Sequence, residues 1–120
     1  MNNFELEKRA RNIPFFRGIY MRDALPKAPR INESGIINLH TSRQPGSHWV
    51  CYIKRGNYIF YFDSFGNLSP PKELIKYFRP RNKLFFYNKQ RHQSYNSKKC
   101  GEYCLNFLKT YSKHFNHYKH

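Results

Sequence analysis

The sequence predicts an α+β fold, in which a small mixed β-sheet packs on a central helix near the end of the chain. Strand-like runs rich in aromatic and β-branched residues fill the middle of the sequence, and an apolar stretch with helical spacing follows them. A chain of 120 residues is long enough for one modest hydrophobic core and no more. We therefore expect residues 1–120 to form a single domain.

The helices are predicted from start signals and from periodicity. A short helix is expected over Asn2–Arg11, whose early turns carry acidic residues. Pro70-Pro71 opens a second helix that runs to about Tyr77, because proline suits a first helical turn. The central helix is expected from Cys100 to about Lys113, since its apolar residues recur on one face. Those residues are Tyr103, Cys104, Phe107, Leu108 and Tyr111.

The strands are predicted from short apolar runs, and the middle two of them form a hairpin. The expected strands are Gly35–Thr41, His48–Lys54, Tyr58–Asp63 and Lys83–Tyr87. The hairpin strands are nearly continuously apolar, so we expect them to be buried on both faces. A turn at Arg55-Gly56 places His48 directly opposite Asp63, where Cβ atoms lie about 4.5–5.5 Å apart. A bulge or a longer loop would shift this register by a residue.

Four residues, in the order His48, Asp63, Gln93 and Cys100, form a candidate site for thiol chemistry. Cys100 begins the central helix, where the helix dipole and unpaired N–H groups favour a thiolate. An aspartate beside a histidine fixes the imidazole tautomer, so that the other ring nitrogen takes the proton of the thiol. Gln93 lies a few residues before the cysteine and can donate a side-chain N–H to a developing oxyanion.

Taken singly, each of these residues also has a structural interpretation. Cys100 could be a small buried hydrophobe, and His48 could bond to a loop carbonyl. Asp63 could cap the turn over residues 64–66, and Gln93 could be an ordinary residue of a surface loop. The occurrence of all four in this order favours a catalytic site over four separate structural roles.

Several segments around these residues resemble the adenovirus-type cysteine endopeptidases (the adenain family), which are related to the Ulp proteases that remove SUMO. The segments are Phe15–Tyr20, Gly35–Leu39, His48-Trp49, Tyr61–Gly66 and Gln93-x-x-Asn96-Ser97-x-x-Cys100-Gly101. The resemblance implies that Cys100 is the nucleophile, His48 the general base and Asp63 its orienting acid. Gln93 and the backbone N–H of Cys100 would then stabilise the oxyanion. It implies a single adenain-like domain, here in a minimal version with a short C-terminus.

The resemblance also implies a function, a thiol endopeptidase that cuts viral or virus-derived precursor proteins at small residues, often glycine. Removal of ubiquitin-like proteins through their Gly-Gly ends would use the same chemistry on another substrate. A third hypothesis is a basic nucleic-acid-binding protein that keeps an inactive protease fold. For the endopeptidase we expect a monomer with a polypeptide substrate, no metal and no required cofactor.

A strong positive charge makes nucleic acid a candidate partner. The chain has 22 Lys and Arg against 7 Asp and Glu, a formal net charge of +15. Basic residues interleaved with aromatic ones are typical of a nucleic-acid surface, although a solvated basic face has the same composition. The candidate contacts are Lys76, Arg79, Arg81, Lys83, Lys89, Arg91, Lys98 and Lys99. The resemblance favours DNA, as a candidate activator, because adenoviral members use DNA as a cofactor.

The cysteines and the absence of a long apolar run bear on the compartment. The chain has 3 cysteines, an odd number, and Cys100 and Cys104 lie one helical turn apart, which argues against a disulfide framework. We expect a reducing intracellular environment, and the host nucleus or the virion if the protein is viral. Cys51 and Cys104 are interpreted as buried core residues. No stretch resembles a signal peptide or a membrane span, so no membrane partner is expected.

Overall fold

The structure is a computed structural model, and it describes residues 2–39, 48–66, 69–78, 84–88 and 100–115. Within them lie the elements α1 (Asn3–Ala10), β1 (Phe16–Met21), β2 (Asn32–Asn38), β3 (Trp49–Arg55), β4 (Tyr58–Phe62), α2 (Lys72–Phe78), β5 (Leu84–Tyr87) and α3 (Cys100–Phe115). The predicted α+β class is confirmed. None of these helices is both long and apolar enough to cross a membrane.

The strands form one mixed sheet in the order β1-β2-β3-β4-β5. The outer pairs β1–β2 and β4–β5 are parallel, whereas β2–β3 and β3–β4 are antiparallel. The prediction of a mixed sheet is correct, but it omits β1. The sequence of this edge strand does not alternate between apolar and polar residues, which is the pattern by which a strand is recognised. In the fold, the strand is half-buried along its whole length.

The hairpin between β3 and β4 has a different turn from the predicted one. Arg55 pairs with Tyr58, so the two turn residues are Gly56 and Asn57. Gly56 takes the left-handed φ of 57°, which glycine adopts without steric cost. Each residue of β3 is therefore paired with the β4 residue two positions beyond the predicted partner. Because side chains alternate between faces, a shift of two residues leaves every side chain on its predicted face.

The central strand β3 is buried on both faces, as predicted. Its odd-numbered residues pack against α1 and α3, in a cluster that includes Trp49 and Cys51. Its even-numbered residues pack on the opposite face, where Tyr52 contacts a second cluster that contains residues of α2. Full burial of one such apolar side chain stabilises the fold by about 1.5–3 kcal/mol. The sheet is therefore fixed between helices on both sides, which gives the ends of β3 and β4 a rigid support.

Candidate active site

Three of the four predicted site residues meet at one end of the central strands. Since β3 and β4 are antiparallel, the start of β3 and the end of β4 lie at the same end of the sheet. His48 immediately precedes β3, and Asp63 immediately follows β4. Helix α3 packs on β3 and begins with Cys100. Residues 48, 63 and 100 are thus placed by the most buried part of the fold.

The imidazole of His48 binds the carboxylate of Asp63. Nε2 of the histidine lies 2.9 Å from Oδ1 of the aspartate, and the two side chains are only 12% and 2% exposed. The shifted register makes Asp63 the diagonal neighbour of His48 on the same face, which still allows contact. The residue that the extended register places opposite His48 is Phe65. Its ring stacks on the imidazole, with 4.2 Å between the ring centroids and 8° between the planes.

The turn that follows β4 holds the aspartate in place. Oδ1 of Asp63 also accepts a hydrogen bond from the backbone N–H of Phe65, at 3.0 Å. The N–H of Gly66 donates to the carbonyl of Asp63 at 2.8 Å, and Gly66 has a left-handed φ of 75°. Asp63 therefore caps the turn and binds the histidine with the same oxygen. The contacts with the turn and with the histidine are thus both present, and the catalytic role of Asp63 stays a prediction.

The thiol of Cys100 lies at the first residue of α3, and it is buried. Its Sγ accepts a hydrogen bond from the backbone N–H of Trp49 at 3.4 Å. The indole of Trp49 in turn donates to the side chain of Asn3 in α1, at 3.1 Å. At Gly101 an added Cβ would lie 3.1 Å from a methyl group of Leu6, so the glycine allows α1 to approach the start of α3 closely.

The electrostatics of the pair favour a charged imidazole beside a thiolate. Burial disfavours the imidazolium, but the hydrogen bond to Asp63 and the interaction with Cys100 outweigh it and raise the pKa of His48 to about 9. Burial also disfavours the thiolate, yet His48 and the N–H groups of Trp49 and Gly101 bring the pKa of Cys100 below its ordinary value of 9.0. Together, the raised pKa of His48 and the lowered pKa of Cys100 favour transfer of the thiol proton to the imidazole ring.

The ring nitrogen available for this exchange is Nδ1 of His48. It is buried and makes no hydrogen bond of ordinary geometry to any residue that the structure describes, whereas Nε2 is bound to Asp63. The thiol of Cys100 is nevertheless near enough to contribute to the raised pKa of the imidazole. Catalytic hydrogen bonds are often long in the absence of substrate and shorten when it binds.

The other two cysteines have different surroundings from Cys100. The thiol of Cys104 donates to the carbonyl of Trp49 at 3.4 Å, and the thiol of Cys51 donates to the carbonyl of Cys104 at 3.9 Å. Burial raises the pKa of Cys104 well above its ordinary value. Both residues are fully buried, which confirms that they are core thiols. The backbone of Trp49 therefore donates to Cys100 through its N–H and accepts from Cys104 through its C=O.

Several predicted site residues lie outside the described residues. They are Gln93 and seven of the basic positions, Arg79, Arg81, Lys83, Lys89, Arg91, Lys98 and Lys99. Lys76 is described, and it is exposed on α2. The oxyanion role of Gln93 and the basic surface thus stay predictions. Across the described ranges, no three His, Cys, Asp or Glu side chains are grouped to hold a metal ion.

Two contributors to the site were missed by the sequence reasoning, Phe65 and Asn88. The correct turn at Gly56-Asn57 would have pointed to Phe65 as the partner of His48. Asn88 binds the backbone of Asp63 with its side chain. Its only signal in the sequence is that a polar residue directly follows the apolar run of β5.

The fold is similar to that of a known protease. The chain matches a crystal structure of the selenomethionine form of the ASFV pS273R protease with a TM-score of 0.51 and 26% sequence identity. The match covers 70% of this chain and 35% of that chain, so the present sequence spans about a third of the length of the protease. No family model and no curated protein matches the sequence. The similarity establishes an α+β fold that resembles Ulp-like proteases, and membership of the adenain family stays a prediction.

Proposed function

We propose that this protein is a cysteine-type peptidase with Cys100 as nucleophile, His48 as general base and Asp63 as the acid that orients it. The observation that carries the proposal is the arrangement around the thiol. Cys100 lies at a helix N-terminus, receives the N–H of Trp49, and adjoins an imidazole whose other nitrogen binds a carboxylate. The similarity of the fold to the ASFV protease supports this assignment independently of the contacts.

The proposed reaction begins with transfer of the thiol proton to Nδ1 of His48. The Cys100 thiolate then attacks the scissile carbonyl carbon, forming a C–S bond and placing negative charge on the carbonyl oxygen. The backbone N–H of Cys100 and the side chain of Gln93 are the proposed donors to that oxygen, at roughly 3 kcal/mol each. The imidazolium of His48 protonates the leaving amine as the C–N bond breaks. Water then hydrolyses the thioester and restores the free thiol.

The substrate we propose is a precursor protein, viral or virus-derived, that is cut at small residues such as glycine. Support comes from the motifs around His48 and Cys100 and from the similarity to a protease of ASFV. Deconjugation of a ubiquitin-like protein is the alternative within the same chemistry. Two substrates separate them, a flexible peptide with an internal Gly-Gly bond and a folded ubiquitin-like protein joined to lysine through Gly-Gly. A precursor protease cuts the peptide, whereas a deconjugating enzyme prefers the folded conjugate.

The proposed active site is tested by the pH dependence of alkylation of Cys100 by iodoacetamide. We expect fast alkylation that persists below about pH 6 in the wild type and is lost in His48→Ala, because the imidazolium stabilises the thiolate. Cys100→Ser is the matched control, because it leaves only Cys51 and Cys104, whose thiols donate to backbone carbonyls and are not paired with an imidazole. Alkylation that rises only near pH 8.5 in both the wild type and His48→Ala would contradict an assembled thiol–imidazole pair.

A second proposed ligand is DNA, and the formal net charge of +15 favours it. Binding through phosphate contacts should weaken steeply with salt, and loss of one contact such as Lys76 should reduce the slope by about 1. Measurements on Cys100→Ser separate binding from catalysis. Tight DNA binding combined with an ordinary thiol would favour the third hypothesis, a nucleic-acid-binding protein with an inactive protease fold.

A further inference from the structure

The side chain of Asn88 forms a two-point contact with the backbone of Asp63. Its Oδ1 accepts a hydrogen bond from the N–H of Asp63 at 2.8 Å, and its Nδ2 donates to the C=O of Asp63 at 2.7 Å. Both groups that flank the Cα of the aspartate are therefore bound by one planar carboxamide. The orientation of the carboxamide follows from this pattern, because reversing it would place two donors, and two acceptors, against each other.

This contact lies where the pairing of β4 with β5 ends. The last pair of the parallel ladder is Tyr61 with Tyr87. Beyond it the backbone of Asp63 has no ladder partner among the described residues, and the carboxamide of Asn88 supplies both a donor and an acceptor in place of a peptide group. An asparagine can do this with one side chain because it carries C=O and N–H on the same plane.

The contact fixes the direction in which the aspartate points. Hydrogen bonds on both sides of one Cα restrict its φ and ψ, and these angles set the Cα–Cβ bond. The carboxylate of Asp63 then meets Nε2 of His48 at 2.9 Å while it also caps the turn at Phe65. Asn88 itself contacts the aspartate only through the backbone in these bonds. Its influence on the histidine would therefore pass through the position of Asp63.

We propose that Asn88 is a positioning residue for the proposed active site, which holds Asp63 in the orientation that binds His48 beside Cys100. The inference rests on the proposed function, since it assigns Asn88 a role in the thiol–imidazole pair. Displacement of a catalytic group by about 1 Å can lower activity on the order of 10²-fold. Hydrogen-bond partners that orient the ligands of a metal ion typically contribute 10-fold to 100-fold, and we expect an effect of about that size for Asn88.

The test compares Asn88→Ala and Asn88→Leu with the wild type in the pH profile of Cys100 alkylation. Leucine has about the shape of asparagine but cannot form either hydrogen bond, so it separates the bonds from the volume. In both variants we expect Cys100 to be alkylated at least about 10-fold more slowly at pH 6. The midpoint of its pH profile of alkylation should move to higher pH. The pKa of His48, followed by NMR, should fall below the wild-type value of about 9 in both variants.

The matched control is Phe86→Ala, which loosens β5 without touching the aspartate. Phe86 is 46% exposed and stacks on Phe60 of β4 with 5.3 Å between the ring centroids. A purely structural role for Asn88 predicts that all three variants lower the melting temperature and that none changes the pH profile. A wild-type profile in a folded Asn88→Leu protein would overturn the proposal.

The experiment also separates this proposal from the proposed function. If the wild type itself reacts only near pH 8.5, and His48→Ala behaves identically, the assembled site is absent and the proposed function fails. If the wild type and His48→Ala differ as expected while both Asn88 variants match the wild type, only the role of Asn88 is rejected. Should Asn88→Ala not fold, the leucine variant gives the decision.

Discussion

Two buried carboxylates occupy opposite ends of the sheet, and their surroundings differ. Glu33 lies in β2 opposite Lys54, near the end of β3, whereas Asp63 lies beside the start of β3. Oε1 of Glu33 accepts from Arg17 at 3.1 Å and from the N–H of Arg30 at 2.5 Å. Its Oε2 accepts from the hydroxyl groups of Tyr52, at 2.5 Å, and Tyr77, at 3.0 Å.

Asp63 is much less fully bonded. Its Oδ1 binds His48 and the N–H of Phe65, but its buried Oδ2 has no partner within the described ranges. Nδ1 of His48 is likewise without a partner in the same part of the chain. Buried polar atoms are nearly always bonded, so each unbonded one needs an explanation, and a role in a reaction is one such explanation. Both carboxylate oxygens of Glu33 are hydrogen-bonded to groups of the fold. Asp63, in contrast, keeps one oxygen without a hydrogen bond to any described residue, at the site proposed to serve a reaction.

The largest effect on activity is expected from substitution of His48, at the end of the sheet that carries Asp63. His48→Ala should lower kcat/KM for a cleaved peptide by about 10⁴-fold or more, since it removes the proposed base and the counter-charge of the thiolate. The melting temperature should also fall, because Asp63 loses its buried partner and keeps only the bond from Phe65, so activity is compared per folded molecule. Activity is measured with a fluorogenic peptide, and Cys100→Ser provides the background. A loss below 10-fold would show that His48 is not the base.

Substitution of Glu33, at the other end of the sheet, is expected to affect stability. Glu33→Ala leaves Arg17 and two tyrosine hydroxyl groups without their acceptor, and breaking a buried ion pair in this way destabilises by about 3–5 kcal/mol. Glu33→Gln keeps the shape and should lose less, about 1–3 kcal/mol. Urea unfolding measures both. The activity per folded molecule should stay unchanged, and a selective loss of activity would contradict the division of roles between the two ends.

The titration of His48 distinguishes the two carboxylates directly. Asp63→Asn should lower the pKa of His48 from about 9 toward or below 6.5, because burial then acts without the opposing carboxylate. Glu33→Gln should leave that pKa unchanged, since Glu33 lies at the other end of the sheet. NMR of labelled histidine measures the value in both variants. Equal shifts in the two would mean that the charge of the whole protein, and not the contact with Asp63, sets the protonation of His48.

The pH dependence of stability has two opposing parts at this site. The raised pKa of His48 contributes stability that is complete below pH 6.5 and is lost as the pH rises through about 9. The lowered pKa of Cys100 contributes stability that is present above pH 9.0 and is lost as the pH falls through the lowered value. Because the proton moves from one group to the other, the pair should change the free energy of unfolding little between pH 6.5 and 9.

The contact between His48 and Asp63 was predictable from the sequence even though the register was not. The predicted hairpin turn lies one residue too early, yet the resulting shift of two residues in the pairing leaves each side chain on its predicted face. The positions of Cys100 and of the central helix followed from local periodicity. Asn88 was not predictable, because a contact between a side chain and the backbone of another strand leaves no periodic pattern.

The burial of Glu33 was not predictable from the sequence for a related reason. The predicted strand began at Gly35, whereas β2 begins at Asn32 and includes the fully buried Glu33. A glutamate in a strand normally predicts exposure, and its burial here depends on partners far away in sequence, such as Arg17 and Tyr77. Sequence patterns record which residues are apolar, but not which polar residues will be paired.

An exposed ion pair provides the smallest expected effect and a limit for the comparison. Arg9 of α1 and Glu102 of α3 are joined at 2.6 Å, with side chains that are 43% and 44% exposed. Water and salt screen such a pair, so Glu102→Gln should change the free energy of unfolding less than either Glu33 variant. The same variant should keep the wild-type alkylation profile, although Glu102 lies only two residues after Cys100. Urea unfolding at low and high salt, together with alkylation of the same samples, measures both expectations. A shifted profile would mean that charge near the start of α3, and not only the contact with His48, controls the thiol.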